Sequence, residues 1–198
     1  MKHFLAVMIL GFMSSAAIAQ APNDVIQETA DELAAALDGR KDELAADKVA
    51  LYVMIDAILL PRFDRRYAAQ LVLGRPWRSA TAEQRDRFVE GFYSSMLRRY
   101  ANGVLEFDQT KLEILPFRGD LEKKRTTVKT IVRLNDGTKV PVNYEMVKRD
   151  SGWMMFDVKI EGISYIRNFK TEINAEIQAT SLEAVIERLE KEAQAATA

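Results

Sequence analysis

The hydrophobic period of this chain changes once and later changes back, and that limits the fold more than any single motif does. Before residue 110 apolar residues recur every three to four positions, from there to residue 160 they alternate, and beyond Gly162 the helical period returns. The expected order is therefore helices, a meander of strands, then helices. That is an α+β fold, with the helices on one face of an antiparallel sheet.

The helical segments carry their own punctuation. Asn23 or Asp24 is placed to cap a helix reaching Leu37, with Val25, Thr29, Leu33 and Leu37 on one stripe and Gly39 beyond it. Leu44, Leu51, Tyr52, Ile55 and Leu59 mark a second helix, interrupted at Pro61, and Phe63, Tyr67 and Leu71 mark a short third one. Thr81 with Gln84 forms a capping box that opens a long helix to about Tyr100. Its broad apolar face holds Phe88, Val89, Phe92, Tyr93, Met96 and Leu97, and Gly91 in its middle suits the close approach of another element or a ligand.

Four strands are expected over Leu112–Phe117, Lys123–Leu134, a run containing Val140 to Met146, and a run containing Met154 to Ile160. Asn135-Asp136-Gly137 and Asp150-Ser151-Gly152 supply the tight turns between the last three. Simple alternation sets Met154, Phe156, Val158 and Ile160 on one face and Trp153, Met155, Asp157 and Lys159 on the other. A helix from Ile163 and a second one capped by Ser181 close the chain.

The first nineteen residues read as a secretory signal peptide: Lys2, an apolar core from Phe4 to Met13, and the small-x-small site Ala17-Ile18-Ala19. Its removal at Gln20 leaves one domain over 20–198, and the expected location is the periplasm. No other run reaches the length of a membrane-spanning helix, so a soluble mature protein is expected. Cysteine is absent and the single histidine, His3, lies in the leader. That excludes Ser-His-Asp and Cys-His nucleophilic sites and His/Cys metal centres from the mature chain. Carboxylate-only chemistry or Ca²⁺ binding stays open, but no D-x-D-x-D-G loop is present, and neither a cofactor nor a metal is expected.

The mature chain carries 27 basic and 29 acidic residues, too balanced for a general nucleic-acid binder. The charge is unevenly spread, however. Residues 20–60 hold nine acids and three bases, whereas residues 61–99 hold nine arginines and four acids. Solvated helix faces account for such a split, and so does orientation toward an anionic partner or head group.

Asp157 stands within a very apolar run, WMMFDVKIEG. A lone acid in an apolar layer is costly unless it is protonated or paired. A structural role, pairing with an arginine or accepting backbone N–H groups, is therefore set beside a catalytic one.

Two separated stretches resemble the MlaC family. One is Leu73-Gly74-Arg75-Pro76-Trp77-Arg78-Ser79-Ala80-Thr81, continuing through Gln84, Arg85, Phe88 and Phe92 to Tyr100. The other is Trp153, Phe156-Asp157-Val158 and Glu161-Gly162-Ile163-Ser164, with Val142 and Tyr144 on the strand before it. Phe156, where a tyrosine is usual, and Tyr165, where an aliphatic is commoner, depart from the pattern.

The resemblance implies an NTF2-like fold around an apolar pocket that takes phospholipid acyl chains. It further implies a monomeric carrier shuttling between an outer-membrane lipoprotein complex and an inner-membrane ABC transporter complex. Such a carrier would maintain the lipid asymmetry of the outer membrane. The pocket candidates are Phe88, Phe92, Met96, Tyr100, Val132, Val142, Tyr144, Met154, Phe156, Val158, Ile163 and Ile166. Arg75, Arg78, Arg98 and Arg99 are candidates for a head group or a docking partner. Three other readings stand beside this one: a hopanoid or isoprenoid cargo, an NTF2-like enzyme pairing Asp157 or Glu161 with a tyrosine, and a purely structural envelope adaptor with an empty or water-filled interior.

Overall fold

The structure, a computed structural model, describes residues 20–195; the expected signal peptide and the last three residues lie outside the described residues. The helices α1 (Pro22–Leu37), α2 (Lys41–Ala46), α3 (Lys48–Leu59), α4 (Arg65–Leu73), α5 (Pro76–Ser79) and α6 (Ala82–Leu105) come first. The strands β1 (Leu112–Ile114), β2 (Arg125–Arg133), β3 (Lys139–Arg149), β4 (Gly152–Ile160) and β5 (Ile163–Ser164) follow, and α7 (Tyr165–Ala179) and α8 (Leu182–Ala195) end the chain. The sheet is a meander in the order β1-β2-β3-β4-β5 with every pair antiparallel. The expected α+β architecture is present, with one more strand than the alternation marked.

Caps account for most boundaries. The reciprocal pair in which Gln84 N–H donates to the Thr81 hydroxyl and Thr81 N–H donates to the Gln84 side chain opens α6, each bond 3.1 Å long. Asp47 accepts from Ala50 N–H at 2.9 Å and splits the expected second helix into α2 and α3. Asp64 caps α4 by accepting from Tyr67 N–H at 2.9 Å. The first helix begins one residue before the expected cap, because Pro22 suits the first helical position and leaves Asp24 to accept from Ala21 N–H.

The extra strand comes from Glu161-Gly162. Both residues have positive φ, 51° and 82°, as a two-residue hairpin turn of the I′ kind requires. The chain therefore folds back through Ile163, opposite Ile160, before α7 starts at Tyr165. Ser164 then caps α7 by accepting from Arg167 N–H at 3.0 Å, while its hydroxyl donates to Asp157 at 2.5 Å. Asp157, only 6% exposed, also accepts from Ile166 N–H at 3.0 Å. The acid in the apolar strand is thus the anchor that fixes the N-terminus of α7 to β4, where a carboxylate is favoured by the unpaired N–H groups.

A bulge overturns the expected faces of β4. Glu145 pairs with Asp157, but the next residue, Met146, pairs with Met155, so Phe156 is the extra residue. Beyond it Trp153 and Met155 join the face that carries Met146, and Met154 falls opposite Val147. Met154 is therefore not on the face of Val158, contrary to the alternation.

Three packed clusters hold the layers together. Val25 and Ile26 of α1 close over Val128, Met146, Trp153 and Met155 at one end of the sheet. Leu37, Leu44, Leu51, Ile55 and Ala101 join α1, α2, α3 and α6. Phe88, Phe92, Ile166, Phe169, Ile186 and Leu189 join α6, α7 and α8. Gly91 marks a close approach of α6 and α8, since a Cβ there would lie 2.9 Å from the Leu189 Cβ.

Gly91→Val should lower stability in urea by about 1–3 kcal/mol through overpacking, whereas Gly103→Ala, in the same helix with open space around it, should raise it by about 0.5–1 kcal/mol. Asp157→Ala should cost about 2 kcal/mol by leaving the Ile166 N–H and the Ser164 hydroxyl without their partner, read as a lower urea midpoint; an unchanged midpoint would remove the anchor role.

Candidate functional site

Register places an apolar field on one face of the sheet. Leu112, Val132 and Val140 form one cross-strand row, and Ile114, Thr130, Val142, Ile160 and Ile163 form the next. Val128, Tyr144 and Val158 form the third, with Met146 and Met155 beyond it. Burial falls along this field. Val128 and Met146, beneath α1, are fully buried, whereas Val132, Val140, Val142, Tyr144, Val158 and Ile160 are only half-buried. Helices thus cover the face completely at one end and incompletely at the other.

Tyr144 stands at the boundary. It keeps free surface, yet burial alone pushes its phenol above the usual tyrosine pKa, and its hydroxyl has no partner among the described residues. Tyr144 is thus desolvated without being fully covered. At the β4–β5 end of the sheet, Tyr165 at the start of α7 meets Tyr100 of α6 edge-on, with ring centroids 4.9 Å apart. Tyr100 remains 37% exposed; its phenol is pushed up first by burial and then by the neighbouring Tyr165.

The other pocket candidates sit elsewhere. Phe88 and Phe92 are 0% and 1% exposed and stack on each other with centroids 5.8 Å apart, and Phe169 meets Phe92 edge-on. With no free surface they face packed side chains rather than a void. Ile166 belongs to the same cluster and Met96 packs against it. The helical stripe marked these residues as apolar, but α7 and α8 cover that stripe. Phe156 is buried with its ring 5.0 Å from that of Tyr67, and Ile163 is 58% exposed at the hairpin. Val140 and Ile160, outside the candidate set, belong to the half-buried rows; cross-strand register, which alternation within one strand does not give, is what reveals them.

The four candidate arginines do not form one patch. Arg75 and Arg78 are exposed beside α5, whereas Arg98 and Arg99 lie about 25 Å further along, toward the far end of α6, at 1.5 Å per residue. Arg99 donates to both oxygens of Glu172 at 2.9 Å and covers the Phe169 ring at 4.9 Å. Glu172 holds the Arg99 guanidinium above its usual pKa and is itself held below the carboxylate range by it. Arg98 is half-buried, with one Nη lacking a partner among the described residues. Much of the arginine-rich block is tied to acids: Arg62 to Glu32, Arg65 to Glu90, Arg66 to Asp86, and Arg87 to Glu183 and Glu190.

A separate crevice of about 340 Å³ is lined by Asp64, Arg66, Tyr67, Gln70, Trp77 and Arg149, none of them a pocket candidate. The carboxylates weighed as catalytic are engaged otherwise. Asp157 holds α7, and Glu161 is exposed in its turn, so neither is paired with a tyrosine. Among the described residues no cluster of acids suits a metal ion, and no helix is long and apolar enough to cross a membrane.

Comparison with known proteins gives a consistent picture. The chain is 29% identical over 173 residues to toluene tolerance protein ttg2D of Pseudomonas putida, covering 87% of this chain and 80% of that one. It is 22% identical over 166 residues to the intermembrane phospholipid transport system binding protein MlaC of Haemophilus influenzae, covering 82% and 78%. Among solved structures, a phospholipid-binding protein of Ralstonia solanacearum in complex with a phospholipid superposes with a TM-score of 0.78 at 22% identity, over 90% of this chain and all of that one. Its likeness supports the expected α+β fold. The profile described as MlaC protein matches residues 27–191, and the chain belongs to the MlaC family.

Proposed function

We propose that this protein is a periplasmic carrier that holds a phospholipid by its acyl chains and passes it between the outer and inner membranes. In this reading it serves to maintain the lipid asymmetry of the outer membrane. The observation that carries the reading is the half-covered apolar field of the sheet, with Tyr144 deep in the protein but still bearing free surface. A sheet face that only completed the core would be covered along its length, as it is over Val128 and Met146.

The chemistry of cargo transfer fits such a face. Each buried CH₂ is worth about 0.8 kcal/mol against water, so two long acyl chains gain more than roughly 20 kcal/mol and do not escape into solvent. Transfer from a bilayer exchanges one apolar medium for another and lies near balance, so the carrier needs a dry cleft and docking partners, not a catalytic group. An inner-membrane ABC transporter complex and an outer-membrane lipoprotein complex are the partners proposed on family membership. The names of the relatives, one an intermembrane phospholipid transport system binding protein, support this reading.

The working surface is assigned to Val132, Val140, Val142, Tyr144, Val158 and Ile160, with Tyr100 and Tyr165 at its rim. Phe88, Phe92 and Ile166 brace it from the helical core.

Protein isolated from the periplasm without detergent should carry one phospholipid per chain in native mass spectrometry, identified after extraction. A hopanoid would change the cargo, and a bare chain that takes nothing from liposomes would contradict the carrier reading. Val142→Asp, which sets a carboxylate in the half-buried field, should lower bound lipid at least tenfold while leaving the far-ultraviolet circular dichroism unchanged.

A further inference from the structure

The crevice at Tyr67 and Trp77 has a chemistry unlike that of the apolar field. Its base is Tyr67, backed by Phe156, the extra residue of the β4 bulge. The Arg149 guanidinium lies 5.0 Å over the Tyr67 ring and is held there by its Nε, which donates to Asp64 at 2.7 Å. Asp64 is fixed in turn as the cap of α4. On the opposite side, Arg66 and Arg85 lie 5.5 and 5.6 Å over the Trp77 ring. Arg85 is fastened by donating to the backbone carbonyls of Trp77 and Arg78 at 2.8 and 3.2 Å.

These guanidiniums are ordered before any ligand arrives, and they are in excess. Arg66 and Arg149 line the crevice, Arg85 and Arg125 touch its rings, and Arg75 and Arg78 flank Trp77 in sequence; Asp64 and Asp86 are the acids bonded to these arginines, and Asp150 adjoins Arg149. Arg75 and Arg78 are exposed with no carboxylate partner among the described residues. Both Nη groups of Arg149, the Gln70 amide and the Trp77 indole N–H likewise have no hydrogen-bond partner among the described residues. A concave site therefore presents free planar donors beside two aromatic rings.

We propose that this crevice docks an acidic segment of a partner protein. A Glu or Asp side chain of that segment lies against Arg149 and Arg66, and a neighbouring apolar side chain lies on Tyr67 and Trp77. Guanidinium forks match a carboxylate in two-point geometry, and arginine and aromatic residues are the types that anchor protein interfaces. The interleaved acids decide against a bilayer as the occupant. A uniformly anionic surface meets Asp64 and Asp86 among the arginines, whereas one carboxylate of a segment reaches a single guanidinium without meeting them.

The test titrates the full mature chain with a fluorescein-labelled peptide carrying adjacent Glu and Phe residues and, in parallel, with phosphatidylglycerol vesicles. Anisotropy and the indole N–H resonance of Trp77 report binding. Expected are saturable peptide binding that weakens with salt, a shift of that resonance, and about tenfold weaker binding by the Arg75→Glu/Arg78→Glu double variant. Those two side chains make no ion pair within the described fold, so the double variant should keep the stability of the parent. Peptide binding unchanged in the double variant, no movement of the Trp77 resonance, or a response to vesicles alone would overturn the proposal. None of these readouts depends on what the apolar field carries, so the two readings succeed or fail separately.

Discussion

The junction of Asp157 with Ser164 and the first turn of α7 is the contact on which the rest of this fold hangs. A meander and a helical layer share few covalent constraints, and their relative placement must come from a fixed point. Here β4 ends in a two-residue turn, folds back through β5, and enters a helix whose first free N–H groups are taken by the Asp157 carboxylate of β4 and by the Ser164 hydroxyl. That placement sets Phe169 against Phe92 and Tyr165 against Tyr100. One buried acid therefore determines both how the helical core closes and where the rim of the uncovered sheet lies.

The same arrangement explains how a sheet face is left apolar without collapsing. The α6, α7 and α8 helices satisfy one another through Phe88, Phe92, Ile173, Ile186 and Leu189, and do not need the sheet for burial. Ion pairs brace them from outside: Arg87 to α8, Arg188 from α8 to Glu176 of α7, and Arg99 from α6 to Glu172. Each is at least partly exposed, so their role is to fix orientation more than to add stability. With the helical layer self-sufficient and α1 covering only one end of the sheet, Val142, Tyr144 and Val158 stay half-covered, as the proposed carrier role requires.

What the sequence made legible follows from where local signals suffice. The period change, the Thr81–Gln84 box and the turn glycines are local, and the order of elements came out as expected. The faces of β4 did not. In Trp153-Met154-Met155-Phe156 all four side chains are apolar, so no polar residue marks the place where the bulge shifts the register. Phe88 and Phe92 lie on an apolar stripe, and helical spacing identifies such a stripe without identifying what covers it, here α7 and α8. The arginines were misgrouped for a related reason: Arg99 finds its acid 73 residues away, a pairing no linear charge count contains. Glu161-Gly162 did carry a readable signal, a two-residue turn directly after an apolar strand, and reading it would have placed β5.

Replacing Tyr144 with a photo-crosslinking phenylalanine analogue, in cells, tests the central claim most directly, with the same replacement at Trp77 as a control. The account predicts a phospholipid-mass adduct at position 144 and none at position 77, because acyl chains lie on the half-covered sheet and not in the arginine-lined crevice. A lipid adduct at position 77 with none at position 144 would contradict it.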